Sequence, residues 1–130
     1  MTEEESWFGK VKYRILEGKK GVREAYDCMA NSYDYSKYLY WTRKLEHAEE
    51  RVVRKWIDDF SGPCLDVGCG TGRYSLKIAE KDVEVVTSDF SLPMLKRLRL
   101  KAKGSGIYHR IHVVLADASI YPSSEAPSIR

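Results

Sequence analysis

A short apolar run, one acid and three alternating glycines stand together at residues 64–72, in the sequence CLDVGCGTG. Glycine has no Cβ atom and takes positive φ readily, so this spacing predicts a bare backbone turn between a strand and a helix. In a parallel sheet such a turn lies at the carboxyl end of a strand, where ligands bind. This stretch limits the possible folds more than any other in the chain.

Short apolar segments alternate with helical segments after this point. The predicted strands are 64–67, 83–88 and 111–116, and the predicted helices run from Tyr74 to Lys81 and from Pro93 to Lys103. Ser91 is placed to cap the second of these helices, with Pro93 in its first turn. Strands that alternate with helices predict an α/β fold with a parallel sheet and right-handed crossovers.

A longer helix is predicted before the sheet, from Lys44 to Phe60. Its apolar residues recur at helical spacing, which places them on one face that we expect to be buried. These residues are Leu45, Ala48, Val52, Val53, Trp56, Ile57 and Phe60. Residues 1–24 are highly charged and predict a loosely ordered arm or a short helix, whereas residues 25–41 are rich in tyrosine and predict a covering segment.

Composition excludes several classes of protein. A chain of 130 residues with a net charge of +3 has room for one modest domain and needs no nucleic acid or anionic membrane as a partner. Three cysteines predict neither a disulfide framework nor a metal site, and no apolar run is long enough to cross a bilayer. We therefore expect a cytoplasmic, metal-free protein. The single asparagine and the absence of glutamine suggest the hypothesis of a high growth temperature.

The glycine spacing limits the classes of ligand that this turn could bind. A dinucleotide fingerprint requires glycine at the position of Arg73, and a P-loop requires a Gly-Lys-Ser/Thr ending that this stretch lacks. Asp66 precedes the glycines, where its carboxylate would repel a phosphate and attract a positively charged group. A dinucleotide-binding dehydrogenase is thus disfavoured, and a ligand with a cationic end is favoured.

Two further acids end the next two predicted strands. Asp89 stands 17 residues after Gly72, where a carboxylate can accept hydrogen bonds from both hydroxyls of a ribose. Asp117, followed by Ala118, is placed to meet the edge of a nucleobase. Each acid alone is weak evidence, because aspartate is common in turns and helix caps. Three acids at three strand ends together predict one ligand site.

Three motifs resemble those of class I S-adenosylmethionine-dependent methyltransferases. They are DVGCGTG at 66–72, SDFSLPML at 88–95 and ADA at 116–118. The segment AYDCMANSYD at 25–34 is similar to the entry helix of the ubiquinone and menaquinone biosynthesis branch. The resemblance spans about residues 25–121. It implies a Rossmann-like three-layer sandwich, S-adenosylmethionine as cofactor and a small-molecule methyl acceptor.

The resemblance also implies roles for individual residues. Asp66 and the glycines would face the methionine part of the cofactor, Asp89 the ribose, and Asp117 with Ala118 the adenine. Met94 would pack on the adenine ring and Tyr33 would line the methyl-donor pocket, with ordinary core packing as the alternative for both. The predicted cofactor-binding residues are Tyr33, Asp66, Gly68, Cys69, Gly70, Gly72, Asp89, Phe90, Met94, Asp117 and Ala118.

The resemblance covers part of that fold. Family members have seven strands in the order 3-2-1-4-5-7-6, whereas this chain predicts three, in the order 3-2-1. We expect an exposed edge at the first strand, open to self-association or to a partner. The predicted organisation is a helical arm at 1–43, a cofactor-binding half-domain at 44–121 and a disordered tail at 122–130. The chain would then be a truncated portion of a methyltransferase.

Catalytic residues and alternative functions stay open at this point. His47, His109 and His112 are expected on the surface or in packing roles, so no general base is predicted. A non-catalytic S-adenosylmethionine-binding module is the main alternative, and a fragment of an RNA methyltransferase is a weaker one. The basic run KRLRLKAK at 96–103 has no interleaved aromatic residues, so we interpret it as the solvated face of a helix whose Leu95, Leu98 and Ala102 point inward.

Overall fold

A computed structural model describes residues 3–5, 12–14, 18–35 and 40–120 of the chain, and the predicted tail at 122–130 lies outside these ranges. The elements in chain order are β1 (Glu3–Glu5), β2 (Lys12–Arg14), α1 (Gly18–Met29), α2 (Tyr40–Asp58), β3 (Cys64–Val67), α3 (Ser75–Ala79), β4 (Val85–Asp89), α4 (Leu92–Gly104) and β5 (Ile111–Leu115). Short 3₁₀ turns occur at Tyr33–Tyr35, Tyr108–Arg110 and Ala118–Ile120. No helix within the described ranges has the length and apolar character needed to cross a membrane.

The main sheet has three parallel strands in the order β3-β4-β5. Its register aligns Cys64 with Val85, and Val85 with Ile111, so that the three strands end side by side. The predicted α/β fold and the predicted strand order are confirmed. The first strand has the bounds that the sequence predicts, and β4 begins two residues later than predicted.

Helices α3 and α4 cover one face of this sheet. The buried centre contains Leu95, Leu98 and Ala102 from α4, packed against Val85 and Ile111 of the strands. All three α4 residues are buried as their spacing predicts, and each fully buried leucine contributes about 2 kcal/mol of transfer free energy. Ser91 caps α4 as predicted, because its Oγ accepts a hydrogen bond from the Met94 amide.

The other face of the sheet is largely open within the described residues. Side chains alternate between the two faces of a strand, and Leu65, Val67 and Val114 fall on the face opposite the helices. All three are exposed. Both crossovers run in the same direction, so right-handed connections place both helices on one side. The described part therefore carries two of the three layers of a Rossmann-like sandwich.

The prediction for the face of α2 is wrong in part. Only Ile57 is buried and Val53 half-buried, whereas Leu45 and Trp56 are 70% and 63% exposed. Helical periodicity identifies an apolar face but not the element that covers it, and one side of this face has no cover among the described elements. Helix α2 also begins at Tyr40, so the predicted boundary between residues 43 and 44 falls inside it.

Two features lie at the margins of the fold. Strand β3 pairs with β4 alone among the described strands, which leaves the expected free edge. The predicted arm at 1–24 contains an antiparallel pairing of β1 with β2 and the start of α1, and thus has more regular structure than the sequence predicts. Charged residues in this arm obscure the apolar alternation by which strands are predicted.

Candidate functional site

The glycine loop between β3 and α3 depends on positive φ. Gly68, Gly70 and Gly72 have φ of 72°, 55° and 83°. A Cβ atom on Gly72 would lie 2.8 Å from Leu98 Cδ1, so only glycine permits the loop to pack on α4. A Cβ atom on Gly70 would meet no heavy atom within 4 Å, which leaves open space above the loop.

Asp89 fixes the shape of this loop. Its Oδ2 accepts a hydrogen bond from the Gly70 amide and its Oδ1 accepts one from the Ser91 amide, both at 2.9 Å. The Gly68 amide also donates to the Ser88 carbonyl, at 2.8 Å. Each carboxylate oxygen has two lone pairs, so Asp89 can still accept one hydrogen bond at each oxygen.

Asp66 lies on the other side of the loop, in β3. Ser75, at the start of α3, donates a hydrogen bond from its Oγ to Asp66 Oδ2 at 2.5 Å. Burial raises the pKa of Asp66, and the Ser75 hydrogen bonds oppose this effect. The ionised carboxylate is therefore incompletely compensated, which favours a cationic ligand group beside it.

Two adjoining cavities lie along the glycine loop. The smaller has a volume of about 190 Å³ and is lined by Tyr26, Tyr33, Gly68, Gly70, Asp89, Phe90 and Met94. The larger has a volume of about 470 Å³ and is lined by Tyr33, Asp34, Glu46, Glu49, Asp66, Gly68, Cys69, Gly70, Thr71, Arg73 and Tyr74. Tyr33, Gly68 and Gly70 line both cavities. Eight of the eleven predicted cofactor-binding residues thus line one or both, and Gly72 supports the loop from behind.

The smaller cavity has an aromatic and apolar wall. Met94 is buried at its base, and Phe90 contacts the Tyr26 ring at a centroid distance of 6.1 Å. The Arg23 guanidinium lies 5.7 Å from the Phe90 centroid. Helix α1 therefore contributes one wall of this cavity. Asp27 of that helix accepts a hydrogen bond from Ser91 Oγ at 2.5 Å.

The structure does not bring Asp117 and Ala118 into either cavity. The carboxylate of Asp117 accepts hydrogen bonds from the Ser119 amide and from Lys19 Nζ, at 2.9 Å and 3.2 Å. Hydrogen bonds from Ser119 and Lys19 lower the pKa of Asp117 to about 2. This acid is thus ionised and engaged with α1. Its predicted contact with a nucleobase stays a prediction.

Seven lining residues were not predicted from the sequence, namely Tyr26, Asp34, Glu46, Glu49, Thr71, Arg73 and Tyr74. Arg73 was noted only as an argument against a dinucleotide, yet it donates to the Glu46 carbonyl at 2.8 Å and contacts Glu49 at 3.4 Å. Thr71 donates from its hydroxyl to Asp34 at 2.7 Å. The apolar period of α2 gives no sign that Glu46 and Glu49 face the site. Only the segment around Tyr33 and Asp34 carried a signal, through its resemblance to an entry helix.

The remaining candidates lie elsewhere. His47 and His109 are exposed, and His112 Nε2 lies 2.7 Å from Glu84 Oε2 at the surface, so none of the three lines the cavities. Burial raises the pKa of the Cys69 thiol to about 12, which makes it a packing residue of the loop rather than a nucleophile. The described residues contain no cluster of three side chains that could hold a metal ion.

Comparison with known proteins shows the family to which this chain belongs. The sequence profile of the family described as "Methyltransferase domain" matches residues 64–128. The uncharacterized protein MJ1252 of Methanocaldococcus jannaschii is 36% identical over 104 residues, which cover 80% of this chain and 36% of that protein. The release factor glutamine methyltransferase of Chlorobaculum tepidum is 36% identical over 77 residues, or 57% of this chain and 26% of that protein.

A solved structure shows the same fold. The [4+2]-cyclase SpnF superposes with a TM-score of 0.63 at 20% identity, over 82% of this chain and 45% of that chain. The likeness at this identity concerns the fold, and a fold carries many activities. The chain spans about a third or less of the length of the two curated relatives named above.

Proposed function

Since this chain belongs to the methyltransferase domain family, in its class I S-adenosylmethionine-dependent form, we propose that it is the cofactor-binding portion of an enzyme that methylates a small molecule. The sequence predicts S-adenosylmethionine as the cofactor, and the match to this family supports that prediction. The ubiquinone and menaquinone type and the small-molecule acceptor rest on the resemblance of residues 25–34.

One observation carries the proposal. Two cavities of different chemistry meet over Gly68 and Gly70, where the backbone is bare and open space lies above the loop. One is aromatic with a carboxylate, and the other is charged, with acids and a guanidinium. A ligand with a nucleoside at one end and an amino acid at the other matches this division.

Each end of the cofactor has partners in this arrangement. Phe90 and Met94 would contact the adenine, and Asp89 would accept hydrogen bonds from the ribose hydroxyls while it still holds the glycine loop. Arg73 would bind the carboxylate of the amino acid end, because a guanidinium donates two parallel hydrogen bonds. Asp66 would attract the positively charged group of the cofactor that lies beside it.

The bound cofactor would supply a methyl group activated by a positively charged sulfur. The protein then has to align donor and acceptor and exclude water. Tyr26 of α1 and Tyr33 of the turn that follows it line the cavities, and both rings are partly exposed, so further polypeptide would be needed to exclude water. No histidine lines the cavities among the described residues, so the acceptor's proton would leave to one of the lining carboxylates, to a group outside this part of the chain or to solvent.

The acceptor site would be completed by further polypeptide. The free edge of β3 and the exposed Leu65 and Val67 offer backbone hydrogen-bonding groups and apolar area to another strand and its helices. We propose that this surface receives the remainder of the fold, from the same polypeptide or from a partner. Without it, the chain would self-associate through the same edge.

Calorimetric titration with S-adenosylhomocysteine tests cofactor binding directly. We expect micromolar binding to the chain and a loss of at least tenfold in Asp89→Asn, because the amide removes one acceptor that serves both ribose and loop. Asp59→Asn, an exposed acid of the same chemistry, should bind as the unmodified chain does. A cooperatively folded chain that shows no binding would contradict the proposal.

A second candidate is a module that binds S-adenosylmethionine without methyl transfer. It is favoured by the open face and free edge of the sheet, because the described residues form cavities for the cofactor while the acceptor site would need further polypeptide. Incubation of the completed protein, this chain together with the polypeptide that covers its open face, with methyl-labelled cofactor and with small molecules, RNA or protein extract as acceptors separates the two. Label in a small molecule supports the first candidate, and cofactor binding by the completed protein with no labelled product supports the second.

A further inference from the structure

Tyr33 stands where the two cavities meet. It lines both, together with Gly68 and Gly70, and it faces them from the 3₁₀ turn Tyr33–Tyr35. A ligand that extends from Phe90 to Asp66 must pass between this tyrosine and the glycine loop. The middle of such a ligand therefore lies beside the Tyr33 ring.

The surroundings of this passage are negatively charged. Four acids line the larger cavity, namely Asp34, Glu46, Glu49 and Asp66; Arg73 contacts Glu49 and Lys101 contacts Asp34, so the excess negative charge rests on Glu46 and Asp66. Carboxylates attract a cation, and the face of an aromatic ring attracts it as well. A positive charge in the middle of the ligand would be stabilised by both, whereas a neutral group of the same size would gain contact area alone.

Three polar side chains hold the tyrosine's turn against the loop. Asp34, next to Tyr33, accepts a hydrogen bond from Thr71 Oγ1 at 2.7 Å, and Lys101 Nζ lies 3.0 Å from Asp34 Oδ2. Lys101 also donates to Thr71 Oγ1, at 3.2 Å. Thr71 belongs to the glycine loop and is 1% exposed. The triangle therefore ties the turn, the loop and α4 together.

Helix α1 supports the ring from the other side. The Tyr26 and Tyr33 centroids lie 6.4 Å apart with the planes tilted by 51°. Tyr26 in turn packs edge-on against Phe90, and Asp27 is hydrogen-bonded to Ser91. Tyr33 is thus held from two directions, which reduces the entropy lost when a ligand arrives.

We propose that the Tyr33 ring recognises the positive charge on the cofactor's sulfur and distinguishes S-adenosylmethionine from its neutral product, with Asp34, Thr71 and Lys101 as positioning residues. This inference rests on the proposed function. Its consequence is functional, because a site that prefers the charged cofactor releases the spent one more readily and is less inhibited by it.

The ratio of two dissociation constants tests the role of the ring. Both S-adenosylmethionine and S-adenosylhomocysteine are titrated into the unmodified chain, Tyr33→Leu and Tyr33→Phe. We expect Tyr33→Leu to raise the dissociation constant of S-adenosylmethionine about fivefold and that of S-adenosylhomocysteine less than about twofold. Tyr33→Phe retains the ring and should keep the original ratio. Equal weakening of both ligands in Tyr33→Leu would reduce the ring to a packing role and overturn the inference.

Lys101→Met tests whether Lys101 acts by anchoring the turn that carries Tyr33 or only through its positive charge. Removal of a cation near the cavity would, by charge alone, strengthen binding of the charged cofactor. Loss of the turn's anchor predicts the opposite, a lower preference for the charged cofactor. Lys103→Met, which removes a lysine that lies over the Tyr108 ring instead, is the matched control. A stronger preference in Lys101→Met would overturn the positioning role.

Thr71→Val tests the same triangle without a change in charge. It should lower the preference for the charged cofactor, and its effect should not add to that of Tyr33→Leu, because both act on one contact. Full additivity would overturn the positioning role. If a folded, unmodified chain binds neither ligand, the proposed function fails as well as the inference. If it binds both and Tyr33→Leu leaves the ratio unchanged, the inference alone fails.

Discussion

The two faces of the three-stranded sheet differ in how they are covered. On one face, Val85 of β4 is fully buried, and it packs in one core with Leu98 of α4, which is also fully buried. On the other face, Leu65 and Val67 of β3 are 64% and 47% exposed. The apolar pattern is similar on both, so the difference lies in what covers each face. The covered face sustains the fold and the site, and the open face is available for another polypeptide.

The strongest contrast comes from removing one leucine on each face. Leu98→Ala should lower the free energy of unfolding by about 4 kcal/mol, because it leaves a cavity beneath the glycine loop. Leu65→Ala should change the free energy of unfolding by less than about 1 kcal/mol, because the Leu65 side chain buries little apolar area in the folded state. Urea titration followed by circular dichroism measures both. Equal losses would mean that the open face is covered in solution.

Two glycines of the loop provide a similar comparison between a packed position and an open one. Gly72→Ala should cost about 3 kcal/mol, because it combines positive φ with a contact of 2.8 Å to Leu98. Gly68→Ala meets open space and should cost about 1 kcal/mol, from φ alone. Combining Gly72→Ala with Leu98→Ala should destabilise less than the sum of the two. Strict additivity would show that the contact does not limit the loop.

A smaller effect is expected from the acid beneath the loop. Burial raises the folded-state pKa of Asp66 above its unfolded value, so the native state retains this proton to higher pH. Stability is therefore favoured below the unfolded pKa and falls as pH rises through the folded one. Asp66→Asn, which keeps an acceptor for Ser75, should raise the melting midpoint at pH 7 and leave it unchanged at pH 3. A lower midpoint at pH 7 would contradict this sign.

The smallest effect on stability is expected from polar substitutions on the exposed apolar residues. Trp56→Gln and Val67→Thr should change the free energy of unfolding by less than about 0.5 kcal/mol. They should nevertheless reduce self-association in sedimentation experiments, because they remove exposed apolar area on α2 and on β3. Unchanged association would indicate that the chain contacts itself through another surface.

The parts of the fold that sequence predicts well are those fixed by local rules. Strand β3 and the cap at Ser91 follow from apolar runs and capping chemistry, and the burial of Leu95 and Leu98 follows from helical spacing. The exposure of Trp56 could not be predicted, because periodicity does not reveal whether another element covers a face. The antiparallel pairing of β1 with β2 was missed since their charges hide the alternation.

The site shows the same division between local and distant information. Asp66, Asp89 and the glycines were identified because their spacing has a direct chemical meaning. The Asp34–Thr71 hydrogen bond joins residues 37 positions apart, and no periodic pattern records such a pairing. The contact of Asp117 with Lys19 joins residues 98 positions apart and has no periodic signal either, and the predicted contact of this acid with a nucleobase stays a prediction.

The order β3-β4-β5 has a kinetic consequence. Neighbours in this sheet are also consecutive strands along the chain, so its pairings close the shortest loops that a parallel sheet with helical crossovers allows. In any longer polypeptide that carries this sequence, the cofactor half would form on the ribosome before later segments emerge. During that interval the β3 edge would be exposed to other nascent chains. The time between synthesis of this half and arrival of its covering segment would then determine how much of the protein aggregates.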